Sequence, residues 1–198
     1  LYEMIANSNN DATSFILDLL TGTTSGPSIS GEKWEAWKIQ RQLINQWLKS
    51  FNWPELAQVN CCQKTWNDSP YGRDKDFYGK NNKHRNSLTT SGIARIYEAL
   101  MTESLLSSPR TRNLKTYLYR CMDLEYRKNH PENQVDGFLG AGLPDDANLW
   151  SKAGLMSEVR HDAAWWQEPN LNPILLIVFY KGKESSRDDT LLPYIAKE

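Results

Sequence analysis

Apolar residues recur at helical spacing through most of the chain and alternate with polar ones only towards its end. Tyr2 to Ile5 forms a short helix-like piece, and Asn7-Ser8-Asn9-Asn10-Asp11 breaks one helix and caps the next. Behind it, Ala12, Phe15, Ile16, Leu19 and Leu20 follow the i, i+3, i+4 spacing of a buried helix face, which ends at Gly22 and Gly26-Pro27. Ser30-Gly31-Glu32-Lys33 starts a further helix with Trp34, Trp37, Ile44, Trp47 and Leu48 on one side. Periodicity then dissolves. Residues 51–86 read as a long polar loop with one short strand near Gln58–Cys62. Ser87–Ser91 caps a helix with Ile93, Ile96, Tyr97, Leu100 and Met101 inside. Pro109 opens another, with Leu114, Tyr117, Leu118, Cys121 and Met122 inside, and residues 129–146 read as loop.

The period then changes from helical to two. Val159, His161, Ala163 and Trp165 alternate with Arg160, Asp162, Ala164 and Trp166. Glu168-Pro169-Asn170 turns the chain, Ile174–Tyr180 reads as a strand apolar on both faces, and residues 188–198 begin a helix with Pro193 near its first turn. The reading is an α+β protein: residues 1–146 mainly helical with the long loop 51–86, and residues 147–198 antiparallel strands and the start of a C-terminal helix.

Charge narrows the partners. With 23 basic and 24 acidic residues and no basic stripe, nothing points to nucleic acid. The three cysteines, Cys61, Cys62 and Cys121, have neither zinc-ligand spacing nor a disulfide framework, and no cofactor or metal motif is present. No apolar run reaches the roughly 18 residues of a membrane span. Trp34, Trp37 and Trp47 fall at helical spacing, so core packing explains them better than a carbohydrate platform. The chain opens on Leu1-Tyr2-Glu3, not on Met, and is expected to be the C-terminal portion of something longer.

Against this background Ser151-Lys152-Ala153-Gly154-Leu155 stands out. A lysine is costly in a sheet unless its charge is used, and Ala153 and Gly154 leave the backbone open to close approach. Ser8-x-Asn10 lies on a turn between helices, where capping is the plain explanation. Ser30-Gly31-Glu32-Lys33 spells Ser-x-x-Lys, a serine-nucleophile pattern, but Gly31 disfavours a preorganised catalytic turn and the segment fits a helix entry.

Met4–Ala12 around Ser8-x-Asn10, and Ser151–Gly154 with Val159–Ala164 behind it, resemble the second and third motifs of the serine β-lactamase and penicillin-binding-protein family. The resemblance spans essentially the whole chain in the family's order. It implies a β-lactamase/transpeptidase-like fold, a helical subdomain beside an antiparallel sheet flanked by helices, with three of the family's five strands in this chain. It also implies roles. Ser8 passes a proton to the leaving group, the Asn10 amide orients substrate, and Lys152 lowers the proton affinity of Ser8 and attracts an anionic substrate. Gly154 lets the substrate lie along the strand, and the Leu155 N–H donates to the oxyanion. The substrate would be a small molecule or a peptide, and the work of such proteins is mostly extracytoplasmic.

Three departures qualify this. The family's Ser-x-x-Lys precedes Ser-x-Asn, so the nucleophile is expected upstream of Leu1, and an N-terminal segment or another copy is expected to pack on the sheet. Ala153 replaces a hydroxyl residue and forfeits one hydrogen bond to a substrate carboxylate, worth about 1 kcal/mol. No glutamate lies between Glu55 and Glu98 to activate a deacylating water; Asp68, Asp74 and Asp76 are the only carboxylates there and read as solvated. The expected activity is a serine acyl hydrolase with slow or absent β-lactamase turnover. The alternative is a non-catalytic relative that binds a cell-wall peptide or protein in the same cleft. His161 reads as a packed strand residue, and Cys61 and Cys62 as inert buried thiols.

Overall fold

The computed structural model describes residues 1–66 and 69–198, which form two compact units, Leu1–Gly92 and Ile93–Glu198. The first begins with helix α1 (Tyr2–Ile5), a turn through Ser8, and α2 (Asn10–Thr21), which stops at Gly22 in the left-handed conformation. Asn9 caps α2 by accepting a hydrogen bond from the Ala12 N–H at 2.8 Å.

The buried side of α2 differs from the apolar stripe. Leu17 and Thr21 are buried, whereas Phe15, Leu19 and Leu20 are at least 60% exposed. The inner side is polar because it has partners. Ser14 Oγ donates to the Thr65 carbonyl at 2.8 Å, and Asp18 pairs with Lys64 at 2.5 Å and with Arg41 at 3.3 Å. A satisfied polar face can be buried as readily as an apolar one, and apolar periodicity cannot see it.

The tryptophan-marked helix is also two helices, α3 (Gly31–Arg41) and α4 (Leu43–Ser50), broken at Gln42. The break takes Trp47 off the inner side, where it is 54% exposed, while Trp37 stays buried. Residues 51–86 are more ordered than a polar loop with one strand. They contain 3₁₀ turns at Pro54–Leu56 and Lys80–Asn82, helix α5 (Gly72–Tyr78), and, in place of the strand, a single bridge between Asn60 and Ser87. Phe77 of α5 stands edge-on to Trp37 at 5.4 Å and stacks on His84, closing a small core with Cys62. Gly72 is required here: its φ is +51°, and a Cβ would fall 2.1 Å from the Gly26 carbonyl oxygen.

Asp74 is not solvated. Its side chain is 2% exposed and pairs at 2.9 Å with Arg41, whose side chain is fully buried. Asp76 is exposed, and Asp68 lies outside the described residues.

Helix α6 (Thr90–Met101) leads into the second unit, which continues with α7 (Ser108–Leu118), strand β1 (Tyr119–Arg120) and α8 (Leu124–Asn129). Cys121 and Met122 therefore follow α7 and are not part of it. A four-stranded antiparallel sheet ordered β1-β2-β3-β4 is completed by β2 (Asn148–Met156), β3 (Val159–Gln167) and β4 (Ile174–Lys181). The three long strands are those the sequence indicates; the two-residue β1 is additional. Arg160, Asp162, Ala164 and Trp166 point into the core, so the alternation in β3 is real. That core joins Leu139, Leu143, Leu149 and Trp166 to Leu192 of α9 (Leu191–Lys197). Edge strand β4 is half-buried along most of its length.

Candidate functional site

Ser8 and Asn10 belong to the first unit. Ser8 occupies the left-handed region with φ 53°, which costs a serine about 1–2 kcal/mol. The turn is held by the Asn9 N–H, which donates to the Glu3 carbonyl, and by the Asn9 cap. Strain of this kind outside glycine persists only where the surroundings enforce it, and it concentrates at functional positions. Asn10 is the first residue of α2, and its carbonyl accepts the Thr65 hydroxyl hydrogen bond at 2.9 Å. The segment read as a polar loop thus supplies the residue that fixes the Ser-x-Asn backbone.

Ser30 stands at the start of α3 without making a side-chain cap bond, and Gly31 has φ +60°. The helix-entry reading of that segment holds in position, though not in its hydrogen bond.

Lys152, Ala153, Gly154 and Leu155 lie together on β2 in the second unit. β1 pairs only with Leu149 and Trp150, so the N–H and C=O groups of Ser151 and Ala153 face an edge that no strand of this unit covers. Side chains close it in turn. Arg120 Nε and Nη2 donate to the Ser151 carbonyl at 3.2 and 2.8 Å. Gln134 Oε1 accepts from the Ala153 N–H at 3.3 Å. The Lys152 ammonium donates to the Ala153 carbonyl at 2.6 Å and to Gln134 Oε1 at 3.4 Å.

Burial first and the Arg120 charge second push the Lys152 ammonium down to about 8, against the pull of Asp162. Asp162, fully buried on β3, is pushed up to about 6 by burial, against the hydrogen bond from the Leu139 N–H and the charges of Arg120 and Lys152. A lysine poised near neutrality can carry charge to a substrate or take part in proton traffic.

Gly154 has an ordinary extended backbone, and an added Cβ would meet only His161 Cβ, at 3.8 Å. The chain's own packing does not demand glycine there. Leu155 is exposed. His161 packs against Phe179 with ring centroids 4.5 Å apart, in keeping with a packed strand residue. Cys62 is buried and Cys61 half-buried; burial pushes the Cys61 thiol to about 11, out of reach of thiolate chemistry at neutral pH. Among the described residues no group of three or more His, Cys, Asp or Glu side chains could hold a metal ion, and no helix is long and apolar enough to cross a membrane.

Gln134, Arg120 and Thr65 escaped the sequence reading. Arg120 lies on β1 after α7 ends, off the phase of the apolar stripe, so periodicity does not mark it. Gln134 and Thr65 lie in irregular segments without period.

The whole chain, residues 1–198, matches the family model described as the β-lactamase enzyme family, and the protein belongs to that family. Its fold is that of solved serine β-lactamases and penicillin-binding proteins. PBP-A superposes with a TM-score of 0.62 at 18% identity, over 99% of this chain and 57% of that one. The β-lactamase from Streptosporangium roseum gives 0.63 at 17%, over 99% and 60%. A PBP-A mutant in an acyl-enzyme complex with penicillin G gives 0.63 at 17%, over 99% and 57%. The chain therefore spans less than two thirds of the length of these proteins. No curated protein matches it.

Proposed function

We propose that the whole protein is a serine acyl hydrolase of β-lactamase type that cleaves an amide or ester through an acyl-serine, with its nucleophile in a Ser-x-x-Lys element ahead of Leu1. The observation that carries this reading is on β2: a lysine depressed to about 8 at a strand edge, two residues from a glycine the packing does not require.

In this reading Ser8 hands a proton to the leaving group, and the Asn10 amide orients the substrate. Lys152 supplies the positive charge that lowers the proton affinity of Ser8 and draws an anionic substrate. The substrate backbone lies along β2 at Gly154, and the Leu155 N–H points at the developing oxyanion. A preorganised donor of that kind is worth about 10²–10³ in rate. Ala153 offers no hydroxyl, so a substrate carboxylate is held less firmly than in relatives with one.

Acylation of the whole protein by a fluorescent penicillin or an activated ester tests the reading. Lys152→Ala should slow labelling by about 10²-fold or more, and Ser30→Ala should leave it nearly unchanged. Labelling lost with Ser30→Ala would name a different nucleophile. An unlabelled wild-type protein that still binds peptidoglycan fragments would instead mark it as a non-catalytic peptide binder.

A further inference from the structure

Gln134 sits in the connection between α8 and β2, and its Oε1 atom faces three donors. The Lys152 ammonium is at 3.4 Å, Arg120 Nη2 at 3.3 Å and the Ala153 N–H at 3.3 Å. Each bond is long and therefore weak on its own. Together they place one carboxamide oxygen between two cations, at the open edge of β2 beside the Ala153 N–H. The same Arg120 is anchored by its two bonds to the Ser151 carbonyl, so it cannot swing away from Gln134 without losing them.

We propose that Gln134 is the positioning residue of Lys152, its carboxamide oxygen holding the ammonium over the Ala153 carbonyl and keeping Arg120 and Lys152 apart. This rests on the reading of Lys152 given above.

The charged and titratable groups of this unit around the ammonium are Arg120 on β1 and Asp162 on β3, with Tyr97 of α6 set against both of them. Two cations confined together repel, and a neutral acceptor bonded to both relieves that without cancelling either charge. A carboxylate in its place would cancel charge and tighten the proton on Lys152. That difference makes the role testable.

The experiment uses the whole protein with Gln134→Ala and Gln134→Glu. It reads acylation by a fluorescent penicillin across pH and, separately, the titration of Lys152 by competitive acetylation and mass spectrometry. Gln134→Ala should slow acylation by about tenfold, less than loss of a direct donor, with little change in the unfolding midpoint. Gln134→Glu should move the Lys152 titration and the alkaline limb of acylation upward together. Should Gln134→Ala fail to fold, the nearly isosteric Gln134→Glu still decides.

If Lys152→Ala abolishes acylation while both Gln134 variants keep the wild-type rate and titration, the positioning role is overturned and the acyl-transfer reading stands. If no acylation occurs at all and Gln134→Glu still shifts the Lys152 titration, the catalytic reading fails and the hold on the ammonium stands.

Discussion

Thr65 donates its hydroxyl hydrogen bond to the Asn10 carbonyl at 2.9 Å, and Ser14, one turn further along α2, donates to the Thr65 carbonyl at 2.8 Å. This reciprocal pair ties the Ser-x-Asn end of α2 to the segment after Cys62. Thr65→Val keeps shape and removes the donor. It should cost about 1 kcal/mol, the net value of one intramolecular hydrogen bond. Acylation should fall by more than that loss explains, because the Asn10 backbone loosens. Urea unfolding and penicillin labelling measured on the same preparation would separate the two effects, and unchanged labelling would free Asn10 from dependence on Thr65.

A buried ion pair underlies the same segment. Arg41 and Asp74 are paired at 2.9 Å with side chains 0% and 2% exposed, and burial lowers the Arg41 pKa against the pull of Asp74 and Asp18. Arg41→Met strands the Asp74 carboxylate and should cost about 3–5 kcal/mol. Adding Asp74→Leu should recover much of it, because the uncompensated charge is then gone. A double variant as unstable as Arg41→Met alone would show that Arg41 acts chiefly through Asp18.

Much of this was legible in the sequence. The period-two stretch Val159–Trp166 located β3, and the segment through Lys152 and the apolar run Ile174–Tyr180 located the other two long strands. What escaped depends on polar partnership. The inner face of α2 is Ser14, Asp18 and Thr21, buried or half-buried because Thr65, Lys64 and Arg41 meet it, and the stripe Phe15, Leu19 and Leu20 pointed the other way. Asp74 looked solvated because its partner lies 33 positions away. Long-range pairs between charged residues leave no local pattern.

Lys152 gives stability a pH dependence of definite sign. In the unfolded chain its ammonium keeps the proton to about 10.5, and in the folded chain only to about 8. Between those values the unfolded state binds the additional proton, so this group makes the protein more stable as pH rises. Below about 8 both states are charged and the cost of burying the ammonium is felt in full. Lys152→Met should therefore stabilise the protein most near neutrality, with the gain fading towards pH 10.5 while acylation is lost. Equal gains in urea midpoint at about pH 7 and about pH 10 would contradict a depressed lysine.

Gly154 separates folding from function. An added Cβ meets only His161 Cβ at 3.8 Å, and the backbone is extended. Gly154→Ala should leave stability unchanged or raise it by about 0.4–1 kcal/mol through the unfolded chain. Acylation should drop, since a methyl group would stand where a substrate backbone has to lie. Normal acylation by Gly154→Ala would remove β2 from the substrate path.

An acyl-enzyme formed on the whole protein should be long-lived. Hydrolysis of an acyl-serine needs a base to activate water, and relatives of class A use a glutamate for this. Between Glu55 and Glu98 this chain has only aspartates. Asp74 is committed to Arg41 in a buried pair, so it cannot accept a proton without stranding a buried cation. Asp76 is exposed to solvent on α5. A penicillin adduct on the whole protein should accordingly persist for minutes or longer, and mass spectrometry at successive times would show the mass gain decaying slowly. Asp76→Asn should leave that decay unchanged. Release within a second would mean that another group activates the water, and a loss of fast release in Asp76→Asn would identify that aspartate as the base.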